Sequence, residues 1–206
     1  AMLSFVTLVS SSHSHTDHLD PESLAPLFKA ATTSPSFIVP KAIAELAQQR
    51  SGAPAQAVEA FDAGETRTVA GVRITAVPAA HNTLERDADG HHLYLGYIFE
   101  LGPWTIYHSG DTKRYDGMAE RLRPMRPDLA LLPINGHRPE RRVAGNLDGT
   151  DAAQLAKDIG AGLVVPCYYD LFSFNTADPD ERFRPACRRI GQACRILDQG
   201  ERLTLF

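Results

Sequence analysis

Cysteine is scarce in this chain: Cys167, Cys187 and Cys194 are the only three in 206 residues, and none forms a CxxC pair. That count and spacing exclude a disulfide framework and a thiolate zinc site. Long apolar runs are missing as well. The stretch at residues 2–9 is broken by Ser4 and Thr7 and is far shorter than the roughly 20 residues of a membrane span. It also lacks the basic flank and cleavage site of a signal peptide, so the expected location is the cytoplasm. Nor is there a run of one charge. With 21 Lys and Arg against 25 Asp and Glu, a net charge of −4, no basic track exists for nucleic acid or an anionic membrane. The expected ligand is a small molecule, with no nucleic acid and no membrane partner.

What is present suits a globular protein. A hydrophobic content of 43% builds a core, and no repeat or low-complexity linker divides residues 1–206, which read as a single domain. Short strand-like and helix-like segments alternate, giving a mixed α/β reading. Residues 4–9 form a β-type run. Asp20-Pro21-Glu22 is an N-cap, a first-position proline and a first-turn acid, and opens a helix with Leu24, Leu27 and Phe28 on one stripe. Residues 37–39 read as a buried strand stopped by Pro40, and residues 41–49 as a helix. Residues 66–77 read as a hairpin turning near Ala70-Gly71, and residues 92–101 and 104–108 as a second one turning at Gly102-Pro103. A strand at 128–132, a helix at 150–159 and a strand at 163–166 follow. Asp178-Pro179 opens a last helix whose stripe of Phe183, Cys187, Ile190 and Cys194 assigns two thiols to packing.

The chemistry concentrates in "SHSHTDHLD", residues 12–20, in the loop leaving the first strand. Imidazoles and carboxylates are ligands for borderline and hard divalent cations. His13 and His15, at alternate positions of an extended loop, can project toward one ion. Asp17 and His18 suit a second ion beside it. The competing reading is a solvated polar loop. Two further strands end at ligand-type residues, one at His81 and one at Ser109-Gly110-Asp111-Thr112.

In that order, His13-x-His15-x-Asp17-His18, His81 and the "SGDT" segment resemble the metallo-β-lactamase superfamily. "HTDHLDPESL", "VPAAHN", "HLYLGYIFELG", "IYHSGDT", "LLPINGH" and "VVPCYYDLFSFNTADP" are similar to its L-ascorbate-6-phosphate lactonase-like branch. The resemblance implies an αββα sandwich with its site at one edge. His13, His15 and His81 would hold one metal, Asp17 and His18 a second, and Asp111 would bridge them. It also implies a hydrolase in which metal lowers the pKa of water toward about 7, with Asp17 handling the nucleophile's proton. Zinc is the expected metal, with manganese and iron close behind.

Two departures qualify that pattern. Tyr168 stands where relatives carry a histidine that completes the second site, so one or two ions are expected; His137, in "NGH", is a stand-in ligand or a substrate contact. The relatives also have strands ahead of the His cluster, so the sandwich is expected to lack its N-terminal strands. A homo-oligomer is expected to cover the open sheet edge. Lys113, Arg138, His137, His92 and Tyr168 are the expected substrate contacts, while Arg114, Arg141 and Arg142 fit a solvated face. His108 reads as a core histidine. The expected reaction is hydrolysis of a lactone or ester-like bond in a small anionic metabolite. The alternatives are a phosphodiesterase or nuclease of the same superfamily and a non-catalytic metal-binding remnant.

Overall fold

The computed structural model describes residues 3–141 and 145–205; Met2 and Arg142 lie outside them. The chain divides into two compact units, Ala1–Ala79 with Leu84–Phe99, and Ala80–Thr83 with Glu100–Phe206.

In the first unit, strands β1 (Leu8–Ser10), β2 (Ser36–Pro40) and β3 (Val58–Phe61) form a parallel sheet in the order β1-β2-β3. Helices α1 (Pro21–Ala30) and α2 (Ala44–Ser51) make the crossovers. Asp20 caps α1, its carboxylate accepting from the backbone N–H groups of Glu22 and Ser23 at 3.1 and 2.9 Å. Alternation along β2 serves two clusters. Phe37 and Val39 pack with Leu19, Ile43 and Ala47, while Ile38 turns to Phe61, Ile74, Leu95 and Tyr97. Strands β4 (Thr66–Val69) and β5 (Val72–Pro78) form the antiparallel hairpin expected at Ala70-Gly71. Both turn residues have positive φ, +50° and +80°, which matches a two-residue turn to the strands' twist. Next to β5 in this sheet runs β6 (Leu95–Leu101).

The second unit holds the parallel strands β7 (Trp104–His108), β8 (Leu129–Pro133) and β9 (Leu163–Cys167), in that order. Helices α3 (Met118–Leu122), α4 (Gly149–Asp158) and α5 (Phe183–Ile190) accompany them. Asp148 caps α4, accepting from Thr150 and Asp151 N–H at 2.8 and 2.9 Å. At Gly149 a Cβ would come within 2.7 Å of the Phe183 nitrogen, so only glycine lets α5 begin against the start of α4.

Several expectations shift: β1 starts at Leu8 rather than at residue 4, and Cys194, expected on the last helix, lies beyond it and bridges to Val164. Residues 58–61 form a strand that the sequence did not announce. The final helix starts at Phe183, because Asp178 instead closes a turn on the N–H of Asp180 at 2.8 Å. Strand β6 starts at Leu95 rather than at residue 92, because the backbone and ring of His92 are both taken by Asp62.

Candidate metal centre

The site is built from loops at the C-terminal ends of strands. After β1, three hydrogen bonds pin residues 11 and 12: Ser11 N–H to the Ile38 carbonyl (2.9 Å), Tyr97 Oη to the Ser11 carbonyl (3.0 Å) and Leu95 N–H to the Ser12 carbonyl (2.9 Å). This fixed backbone presents Ser12 Oγ at 2.9 Å from His13 Nδ1 and 3.0 Å from His18 Nδ1. One hydroxyl therefore orients two imidazole rings. His13 is fully buried; His15 is exposed, with its Nδ1 3.0 Å from His13 Nε2. The ring of Tyr94 packs against both, with centroids 5.1 and 6.1 Å away.

The other ligand residues follow β5 and β7. His81 is buried, and its Nδ1–H donates to the Gly145 carbonyl at 2.9 Å, which leaves the Nε2 lone pair for a ligand. That Nε2 lies 3.3 Å from Asp111 Oδ2. Thr112 ties the two loops together by accepting the Ala80 N–H at 2.9 Å and donating to the Lys113 carbonyl at 2.8 Å.

His13, His15, His81 and Asp111 each offer one ligand atom, and these atoms all lie within 4.8 Å of one another. Zinc–nitrogen bonds of about 2.0–2.1 Å set ligand atoms about 3.3 Å apart in a tetrahedron. The 3.0 and 3.3 Å separations above are close to that edge, and three imidazoles with one carboxylate suit zinc, iron or manganese. The residues present thus fit a divalent ion.

Asp17 and His18 are not among these four. Asp17 is exposed, with Oδ2 3.6 Å from His18 Nε2. Tyr168, at the end of β9, has φ +58° and sets its Oη 2.9 Å from His108 Nε2. His108 Nδ1 accepts the Gly110 N–H at 3.3 Å, so Nε2 carries the hydrogen that it donates to the phenol. His108 is therefore joined to the site as Tyr168's partner, a role for which the sequence carried no signal. His92, expected as a substrate contact, is buried and bonded through Nδ1 to Asp62 at 2.8 Å. Burial, reinforced by the Asp111 carboxylate, pushes the Cys167 thiol up to about 12, so it stays protonated. Lys113, His137 and Arg138 line a cleft of about 360 Å³ in the second unit. A second acidic group, Asp87, Asp89 and His91, closes a turn on its own backbone N–H groups.

A candidate His/Asp metal cluster at strand ends, on sheets with flanking helices, defines the class as a metal-binding protein of the metallo-β-lactamase fold. Residues 3–169 match the family described as the beta-lactamase superfamily domain. The chain belongs to that superfamily and, within it, to the UPF0173 metal-dependent hydrolases. A UPF0173 metal-dependent hydrolase of Methanoculleus marisnigri is 30% identical over 197 residues, covering 94% of this chain and 80% of the relative. Among solved structures, a metallo hydrolase of the archaeon Ignicoccus hospitalis has a TM-score of 0.74 at 23% identity, covering 95% of this chain and 77% of that one. The diiron β-hydroxylase CmlA of Streptomyces venezuelae reaches 0.74 at 14% identity, over 94% of this chain and 44% of its own. No helix of the described residues is long and apolar enough to cross a membrane.

Proposed function

We propose that this chain hydrolyses a lactone or another ester-like bond in a small anionic metabolite, at one divalent ion held by His13, His15, His81 and Asp111. The observation that carries the reading is the four-residue cluster itself. Such an ion, when bound, supplies Lewis acidity and lowers the pKa of a water molecule. The chain's own residues do the rest. The Gly145 carbonyl fixes the tautomer of His81 and Ser12 holds the ring of His13, so neither ring has to turn. Asp17, exposed beside the cluster's loop, takes the proton from the attacking water. Tyr168, supplied with a hydrogen bond by His108, has its own phenolic proton to give to oxygen charge that develops on the substrate. Lys113 and Arg138 receive the anionic part of the metabolite.

Three neutral imidazoles and one carboxylate leave a bound dication with net positive charge, which favours anions despite the chain's overall −4. Zinc is the default; the diiron neighbour keeps iron in view. The test is metal analysis of protein purified without added metal, paired with a panel of lactones, carboxylic esters and phosphodiesters. Metal-dependent lactone or ester cleavage supports the reading. Diester cleavage without it would make the protein a phosphodiesterase, and absence of metal under replete conditions would make it a non-catalytic remnant.

A further inference from the structure

His81 and Asn82, neighbours in the loop after β5, both bond to one distant residue. The His81 ring donates through Nδ1–H to the Gly145 carbonyl at 2.9 Å, and the Gly145 N–H donates to Asn82 Oδ1 at 3.1 Å. Gly145 is thus held at both polar ends of its own backbone. A third side is closed as well. A Cβ at this position would meet His137 Nδ1 and Lys113 Cδ at 2.8 Å each and His137 Cβ at 2.9 Å, so the backbone lies this close only because residue 145 has no side chain. The next residues are tied to the loop of Asp111. Leu147 N–H reaches the Thr112 carbonyl at 2.8 Å, and Asn146 N–H reaches the Gly136 carbonyl at 3.1 Å. Residues 145–147 therefore form a strap from the Asp111 loop to the His81 loop, and His81 Nε2 lies 3.3 Å from Asp111 Oδ2.

At its His81 end the strap is fastened by two bonds, and Asn82 supplies one of them. A single hydrogen bond tolerates a broad range of directions at a carbonyl oxygen, so the Gly145 carbonyl alone does not fix the plane of the His81 ring. A second bond to the same residue removes that freedom. We infer that Asn82 is a positioning residue of the metal centre: it holds Gly145 so that the Gly145 carbonyl sets the His81 ring. Asn82 is exposed and is not one of the four ligand residues. An exposed loop asparagine can ordinarily be replaced with little effect, which makes the expectation specific. The inference rests on the hydrolase reading only for the metal itself; the hold on the His81 ring stands without it.

The test uses the full chain and two readouts. Zinc affinity is measured by competition with a chromophoric chelator. Exchange of the His81 Nδ1 proton with water is followed by NMR in the metal-free protein, with His81→Gln identifying the signal. Asn82→Ala should weaken zinc binding about three- to tenfold, less than the 10- to 100-fold of a direct partner because Asn82 acts through Gly145. It should also speed the proton exchange severalfold, with the melting temperature of the metal-free protein unchanged. Asn82→Asp, which keeps an oxygen for the Gly145 N–H, should restore both. Thr83→Ala, at the next exposed position, should change neither. Zinc affinity and proton exchange within twofold of the unsubstituted chain in Asn82→Ala would overturn the inference. So would equal loosening in Thr83→Ala, or an Asn82→Asp protein that regains affinity without slowing the exchange, since charge rather than position would then be acting. A chain that binds no zinc, yet whose His81 proton exchanges faster in Asn82→Ala, would keep the strap and remove the hydrolase reading.

Discussion

Replacing Ser12 by alanine should weaken metal binding although Ser12 touches no metal. Its side chain is 4% exposed, and its single hydroxyl contacts Nδ1 of both His13 and His18, at 2.9 and 3.0 Å. The loop would keep its shape, because the bonds that pin it run through the backbone carbonyls of Ser11 and Ser12. What is lost is the group that holds the His13 ring angle. Removing a partner that orients a ligating histidine costs 10- to 100-fold in metal affinity, about 1.4–2.7 kcal/mol. Competition with a chromophoric chelator for zinc measures this directly, with thermal melting of the metal-free protein as a control on the fold. An affinity within twofold of the unsubstituted chain would refute the reasoning, because His13 would then be held by something other than Ser12.

Tyr168→Phe should lower kcat roughly tenfold, about 1.4 kcal/mol, with the metal content unchanged, as assayed on whichever ester the substrate panel identifies. Asp62→Asn should destabilise the fold by roughly 1 kcal/mol at pH 7, because the backbone N–H and ring of His92 would then meet a neutral amide oxygen in place of a carboxylate. Burial alone would raise the Asp62 carboxyl, but the His92 N–H and ring outweigh it and hold the group below its usual 3.8. A depressed folded pKa gives stability above that value which is lost as pH falls through the folded pKa, so thermal melts should separate the two proteins at pH 7 and converge in strong acid.

Legibility in the sequence followed the range of the interactions. The start of α1 was readable because Asp20, Pro21 and Glu22 act on their own turn, and the β4–β5 hairpin because Ala70-Gly71 sets its geometry locally. The candidate ligands His13, His15, His81 and Asp111 could be picked out because few residue types bind metal and each follows a strand. Strand β3 was not readable: "VEAF" has neither clean alternation nor a long apolar run, and its pairing with β2 forms it. The same holds for His92, whose fate depends on Asp62, thirty residues earlier. Asn135 and Asn146 look like ordinary loop residues until the chain around them buries their carbonyls.

Metal stoichiometry tests the four-ligand centre most directly. Elemental analysis of the purified chain should find about one tightly held divalent ion, lost in His81→Ala and in Asp111→Asn and retained in His92→Gln. A chain that holds no ion when metal is plentiful, or one whose ion survives removal of His81, would contradict the assignment.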